Sequence, residues 1–415
     1  MAANQDCQIR DLRRLLDITR QMAVTFDLTQ LLGTIVDAAC QVLDCARATI
    51  FLHDPATHEL YSRVATGVES IRFPVDRGIA GAAAQQRVIV NVPDAYADPR
   101  FNPEIDKWTG FHTRNLLTFP LENLDGELMG VLQALNKSGG PFGAADEELA
   151  RVLSAQAGVA LHRYFLLEEY AHKQRMARDL ELARKIQQAL FPKTSPTIPG
   201  YEVAGWSCPA DETGGDCYDF IPLNDGRYAF LLADATGHGI GAALVIAECR
   251  SLVRAMLTVT RDLSTVAAHV NQILCHDLMD DRFVTAFVGV LEPERHRLEY
   301  LSAGQGPLLF ASPAGIETRG AGGLPLAVVD DLALEVDHFD FAPGATVALL
   351  TDGFYEANDP GGEQFGEQRV IDFMQRQSEL PLDTLIQRLY AEVRRFTHDT
   401  PQADDLTAIL IRRQS

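Results

Sequence analysis

Positive charge is scarce in this chain: 36 Lys and Arg stand against 57 Asp and Glu, a formal net charge of −21 over 415 residues. That deficit excludes a broad basic footprint for nucleic acid or for an anionic membrane surface. Cysteine is sparse and scattered. The seven (Cys7, Cys40, Cys45, Cys208, Cys217, Cys249 and Cys275) are odd in number and contain no C-x-x-C pair, which points to a reducing compartment. No apolar run approaches the roughly 18–20 residues of a membrane span. The polar opening MAANQDCQIRD is no signal peptide, so a soluble, cytoplasmic protein is expected. No internal repeat is visible.

Apolar residues make up 47% and charged residues 22%, enough for ordinary hydrophobic cores and too little charge for wholesale disorder. The length suggests about two to four domains at roughly 100–200 residues each. The acidic excess is uneven: residues 1–165 carry 15 basic and 20 acidic side chains, net −5, and residues 166–415 carry 21 and 37, net −16. The second part is therefore where carboxylates clustered around a divalent cation are to be sought.

Periodicity predicts a helix from Ile9 to about Thr25 and another over Leu28–Leu43, with Leu31, Leu32, Ile35, Val36 and Ala39 on one face. Strand-like runs follow at Ala48–His53, Leu60–Ala65, Val88–Val90, Leu116–Leu121 and Gly130–Asn136, separated by turn residues such as Asp125-Gly126. From Ala144 to Leu190 the pattern is helical, with no proline and only Gly158 as a weak point. One stripe holds Leu149, Val152, Leu153, Val159, Ala160, Tyr164 and Leu167; a second holds Leu180, Ala183, Ile186 and Leu190. This length suggests a connecting, dimerising helix, closed by the Pro-rich break at Phe191–Pro196.

Beyond Gly200, strands are expected at Tyr201–Trp206, Tyr218–Pro222, Tyr228–Ala233, Val284–Leu291, Leu298–Ser302, Leu308–Phe310, Thr346–Leu350 and Leu406–Ile411. Helices fit Gly241–Thr260, Ser264–Met279, Glu367–Gln377 and Leu382–Phe396. Several strands succeed one another through short turns, which favours antiparallel sheets with helices outside. Four segments share one design, an aspartate closing or opening a hydrophobic strand: Gly214-Gly215-Asp216-Cys217-Tyr218-Asp219, Asp234-Ala235-Thr236-Gly237-His238-Gly239, Leu349-Leu350-Thr351-Asp352-Gly353 and Asp404-Asp405-Leu406-Thr407. Mg²⁺ or Mn²⁺ wants oxygen ligands, and a short aspartate side chain holds its carboxylate rigidly at a strand end. Any one such segment is as easily a turn or a cap. Four carboxylates brought together repel one another unless a cation neutralises them.

These segments resemble the metal-dependent (PPM) protein serine/threonine phosphatases of the bacterial SpoIIE/RsbU branch, over about residues 175–415. The likeness begins at Glu181–Pro192 and runs through the GGD-x-YD-F, D-x-x-GHG, LLTDG and DDLT motifs in order. It implies an α-β-β-α sandwich binding two Mn²⁺ or Mg²⁺ ions that share a bridging water. Asp216, Asp234, Asp352 and Asp404 would be the catalytic metal ligands, joined by the backbone carbonyl of Ala235; Asp405 is the less favoured ligand of its pair, and His238 a supporting residue. The absence of a C-x5-R cradle and of a D-x-D-x-[TV] nucleophile agrees with direct attack by water. Two departures stand out. Gln305 and Gly306 in Ser302–Pro307 replace the His and Asn of a common NAGHNP loop, and Ala327 takes a place often held by Gly. A diguanylate cyclase reading of Gly214-Gly215-Asp216 is rejected, because Cys217 and Tyr218 follow and the later motifs would be unexplained. The rival is a catalytically weak phosphatase fold acting as a binding module or scaffold.

Residues from about 25 to 165 resemble a GAF domain of the cyclic-nucleotide type. The likeness rests on Gly78–Gly81, Asp98–Asn102, Asp106–Asn115 and a spaced NKFDE pattern in Asn136, Lys137, Phe142, Asp146 and Glu147. It implies a pocket lined by Asp106, Thr109 and Thr113, with backbone near Ala80; Lys137 and Asp146 read as an ion pair closing a loop. Ala65-Thr66 stands where nucleotide binders often carry an aromatic-acidic pair. The expected organisation is α+β throughout: an N-terminal helix (1–24), a GAF sensor (25–165), a helical dimerising linker (166–195) and the phosphatase domain (196–415). The expected partners are a phosphorylated STAS-type anti-anti-sigma protein, a small-molecule ligand such as a cyclic nucleotide, and a second copy of the chain.

Overall fold

The computed structural model describes residues 17–62, 71–278, 282–312 and 315–414. They fall into two units, Met1–Gln174 and Arg175–Ser415. The first begins with α1 (helical over 17–24) and α2 (Leu28–Leu43). The Asp27 carboxylate accepts the Gln30 N–H at 2.9 Å and so caps α2, and Asp44 ends it in the left-handed region. Six antiparallel strands follow: β1 (Cys45–Asp54), β2 (Glu59–Tyr61), β3 (Arg72–Pro74), β4 (Val90–Val92), β5 (Leu116–Glu122) and β6 (Leu128–Lys137), in the order β3-β2-β1-β6-β5-β4. On one face Leu31, Leu32 and Ile35 of α2 meet Ile50, Leu52, Phe119 and Leu132, with Leu153 and Leu161 of α5 (Ala144–Leu190) beside them. The small residues Ala80, Ala83 and Ala84 of α3 (Gly78–Gln86) let that helix lie close on the other face. A short α4 (Pro103–Thr109) completes the unit.

The long helix expected over Ala144–Leu190 is one helix of 47 residues. Of its first stripe, Leu153 and Ala160 are buried, whereas Val152 and Val159 are exposed. Further on, Leu166, Leu167, Tyr170, Met176, Leu182 and Ile186 stand in solvent.

The second unit is a four-layer sandwich. Strands β7 (Tyr201–Cys208), β8 (Asp216–Pro222), β9 (Tyr228–Ala235), β10 (Val284–Glu292), β11 (Arg297–Ala303), β12 (Leu308–Ser312), β13 (Gly315–Arg319), β14 (Asp337–Asp340), β15 (Thr346–Leu350) and β16 (Leu406–Arg413) form two antiparallel five-stranded sheets. Their orders are β14-β11-β10-β9-β8 and β13-β12-β15-β16-β7. Alternation sorts the side chains. Phe230, Leu232 and Phe287 of the first sheet meet Phe310, Leu349 and Ile409 of the second. The intervening Leu231 and Val288 face α6 (Gly239–Val259) and α7 (Leu263–Asp277). Ala348 and Leu410 face α9 (Gly366–Arg376) and α10 (Leu382–Phe396), beyond the single-turn α8 (Gly353–Glu356). Each fully buried Leu or Phe contributes about 1.5–3 kcal/mol.

Several expectations are corrected. The strand placed at Val88–Val90 lies at Val90–Val92, because Val88 is exposed. Strand β2 ends at Tyr61, with Ser62 buried beyond it; residues 63–65 of the expected Leu60–Ala65 run, the Ala65-Thr66 pair and the first half of the N-terminal helix lie outside the described residues. Ala327 has φ +67°, which accounts for the glycine expected there. Among the described residues no helix is long and apolar enough to cross a membrane.

Candidate active site

Antiparallel register brings the acidic motifs to one end of the sandwich. Asp216 opens β8 and pairs across the ladder with Asp234, near the end of β9. In the facing sheet Asp352 follows β15 and Asp404 precedes β16, and these strands are neighbours through Leu350 and Ala408. The Thr351 hydroxyl donates to Asp216 Oδ2 at 2.8 Å and accepts the Thr407 N–H at 2.9 Å, so one side chain ties the first sheet to two strands of the second.

The electrostatics follow from this convergence. Burial, with Asp234 and Asp405 nearby, drives the Asp216 carboxyl well above the usual carboxylate range. Burial and then the charges of Asp352, Asp404 and Asp405 push Asp234 up to about 8. Burial also raises Asp352, with Glu356 adding to it, and raises Asp404, with Asp352 adding to it. None of the four has an ion-pair partner among the described residues. The nearby arginines are used elsewhere: Arg250 and Arg254 both bridge to Asp219 at 2.9 Å.

Asp405 does a different job from Asp404. Its carboxylate accepts the N–H groups of Ala210 at 2.7 Å, Gly215 at 2.5 Å and Asp216 at 3.2 Å, and so holds the loop that delivers Asp216. Gly214 and Gly353 are required here, since a Cβ on the first would collide with the Asp405 carboxylate and on the second with the Asp405 carbonyl. Asp404 is exposed; its carboxylate accepts the Asp405 N–H at 2.8 Å and its backbone carbonyl accepts the Gln402 amide at 2.8 Å. Gln187, near the end of α5, grips the same loop: its amide accepts Gly214 N–H at 3.1 Å and donates to Gly214 C=O at 2.6 Å. His238 precedes α6 without capping it and is exposed, its Nδ1 2.8 Å from Asp211.

The donor set is carboxylate and carbonyl oxygen, which suits a hard divalent cation. Among the described residues no three His, Cys, Asp or Glu side chains already close around a common point. The residues fit a metal centre in type and charge.

In the first unit a cavity of about 300 Å³ is lined by Ala80, Asp106 and Thr113, with Arg47, Arg77 and Phe111. The side chain of Thr109 lies outside the described residues. Asp106 is engaged internally: it accepts Thr113 N–H at 2.6 Å, Thr113 Oγ1 at 2.8 Å and the Tyr96 hydroxyl at 3.1 Å. Lys137 and Asp146 form the ion pair read from the sequence, at 2.7 Å.

Comparison with known proteins assigns both units. Residues 27–161 match the model of the GAF domain family, and residues 224–414 match that of Stage II sporulation protein E (SpoIIE). The chain joins a GAF domain to a SpoIIE-type phosphatase domain. The SiaA-PP2C domain of Pseudomonas aeruginosa shares the sandwich, with TM-score 0.53 and 24% identity over 59% of this chain and 98% of that one. Protein IcfG of Synechocystis sp. is 26% identical over 267 residues, 57% of this chain and 41% of its own. The dual 3',5'-cyclic-AMP and -GMP phosphodiesterase 11A of Takifugu rubripes is 35% identical over 161 residues, 35% of this chain and 18% of its own. The chain thus spans less than half the length of these curated relatives.

Asp216 and Asp234 are paired in the ladder, the charges of Asp352, Asp404 and Asp405 reach Asp234, and the Ala235 N–H donates to the carbonyl of Gly215, the residue before Asp216, at 3.0 Å. Sequence reasoning did not single out Thr351 or Gln187 as site residues. Both act on backbone or through one hydroxyl, which leaves no periodic or charged signature.

Proposed function

We propose that the protein is a metal-dependent phosphatase that removes phosphate from serine or threonine of a partner protein, under control of a ligand bound by its GAF domain. The observation that carries this reading is the convergence of Asp216, Asp234, Asp352 and Asp404 from two sheets, with raised proton affinity and no basic partner among the described residues. The set Asp216, Asp234, Asp352 and Asp404, with the Ala235 carbonyl, would hold two Mn²⁺ or Mg²⁺ ions; Asp405, already occupied by three N–H groups, would position rather than ligate. When bound, the ions supply charge that screens a dianionic phosphate and lowers the pKa of attacking water. The chain's own part is orientation. Thr351 fixes the rotamer of Asp216, Asp405 fixes the loop before it, and the exposed Asp404 faces the solvent side from which a phosphoprotein must approach.

The substrate class follows the SpoIIE/RsbU likeness: a small STAS-type anti-anti-sigma phosphoprotein in a partner-switching pathway. For control, α5 is a single helix that begins in the GAF unit and ends in the phosphatase unit, where Gln187 holds Gly214 two residues before Asp216. A ligand that binds two states of the sensor unequally would bias this grip. Exposed Leu182 and Ile186 on the same helix support self-association into a dimer.

Phosphate release from a phosphorylated STAS-type protein should require Mn²⁺ and stop with EDTA. Asp216→Asn and Asp352→Asn should each remove most of the rate, by about 10²-fold or more, at unchanged circular dichroism. Full activity in both variants would overturn the site. A stable complex with the phosphoprotein and no metal-dependent turnover would instead identify a binding module.

A further inference from the structure

Gln305 is a buried side chain, 3% exposed, that the proposed chemistry does not use. Both ends of its amide are satisfied, and each on a different sheet. Its Oε1 accepts the Thr285 hydroxyl at 3.0 Å, and its Nε2 donates to the Leu350 carbonyl at 3.0 Å. Thr285 lies on β10 directly opposite Asp234 in the ladder. Leu350 ends β15, one residue before Thr351, which holds Asp216, and two before Asp352. The Gln305 carbonyl in turn accepts the Ser302 hydroxyl, which fixes the loop after β11.

Two sheets packed through apolar side chains can slide by a few tenths of an ångström at little cost, since dispersion contacts are not directional. Hydrogen bonds are directional, and a buried amide that loses one partner costs about 1–3 kcal/mol. A planar amide anchored at both ends therefore sets the spacing between the strands that carry Asp234 and Asp352 where an apolar residue could not. A neutral imidazole also has one donor and one acceptor nitrogen, so a histidine at this position could take up the same two bonds.

We propose that Gln305 is a positioning residue that clamps the two sheets at the carboxylate centre and sets its affinity for divalent cations. This rests on the metal-centre reading above. The test is titration of the full-length protein with Mn²⁺, followed by calorimetry in the absence of substrate, with melting temperature measured in parallel. Gln305→Leu should weaken Mn²⁺ binding by about 10–100-fold, the range found when groups that orient metal ligands are removed. Gln305→His should restore binding to within about threefold of wild type. Val290→Ala, a core change on the same strand as Thr285, should lower the melting temperature and leave Mn²⁺ affinity unchanged. Should Gln305→Leu fail to fold, Thr285→Val removes only the hydroxyl at one end of the clamp and should still weaken binding severalfold. The proposal is overturned if Gln305→Leu or Thr285→Val binds Mn²⁺ like wild type, or if Val290→Ala weakens binding equally. Absence of Mn²⁺ binding by the wild-type protein would overturn the metal centre itself, and the clamp with it.

Discussion

Asp234 makes the state of the site readable from stability alone. Its ordinary value is 3.8, and burial among Asp352, Asp404 and Asp405 lifts it to about 8 in the folded chain. Between those values the folded protein holds a proton that the unfolded chain has released. Stability of the metal-free protein should therefore be greatest below about pH 4 with respect to this group and fall as pH rises toward about 8. Asp234→Asn should flatten that decline, and Mn²⁺ should offset it by supplying the missing positive charge. Melting temperatures at about pH 5, 6.5 and 8, with and without Mn²⁺, check this; a wild-type profile parallel to the Asp234→Asn profile would refute it. Aspartates at strand ends could be picked out of the sequence because that is a local pattern. The anchoring of the loop by Asp405 could not, since it depends on the N–H groups of Ala210, Gly215 and Asp216, nearly two hundred residues away.

At the scale of elements, the central strands and long helices could be read from hydrophobic patterning because each buries at least one face. Strands β3, β13 and β14 could not. All three lie at sheet edges, and Gly315–Arg319 and Asp337–Asp340 are too polar to stand out. A connecting segment carries the clearest local strain. Leu326 exchanges hydrogen bonds with Val284 at 2.8 and 3.0 Å, and the next residue, Ala327, is left-handed at φ +67°. The fully buried Asn271 of α7 holds it there by accepting the Ala327 N–H at 2.8 Å, while donating to the carbonyls of Val329 and Asp330. An alanine in this region costs about 1–2 kcal/mol, partly offset by the greater freedom of glycine in the unfolded chain. Ala327→Gly should raise stability by about 0.5–1 kcal/mol at unchanged phosphatase rate, measured by denaturant unfolding. A loss of stability would show that the strain is relieved elsewhere.

For the whole molecule, the GAF unit is the part whose chemistry is least fixed by its fold. Its cavity carries the Arg47 and Arg77 side chains beside the Asp106–Thr113 pair, a setting in which an anionic ligand meets both charge and fixed dipoles. A cyclic nucleotide at 100 times its dissociation constant should stabilise the protein by about 2.7 kcal/mol. A thermal shift with cyclic AMP or cyclic GMP, on protein cleared of co-purified ligand, is the expected outcome. No shift with either would exclude both as ligands of the GAF unit.

The placement of β16 sets the order in which the acid cluster can assemble. This strand lies between β15 and β7, and Asp404 and Asp405 immediately precede it. A ribosome that has already released β7 to β15 has made two sheets, one of them without the strand that joins β15 to β7, and an acid cluster without Asp404 and Asp405. On the proposed site the cluster is complete only when residues 404–413 have emerged, and products that stop short of them should show no metal-dependent phosphate release.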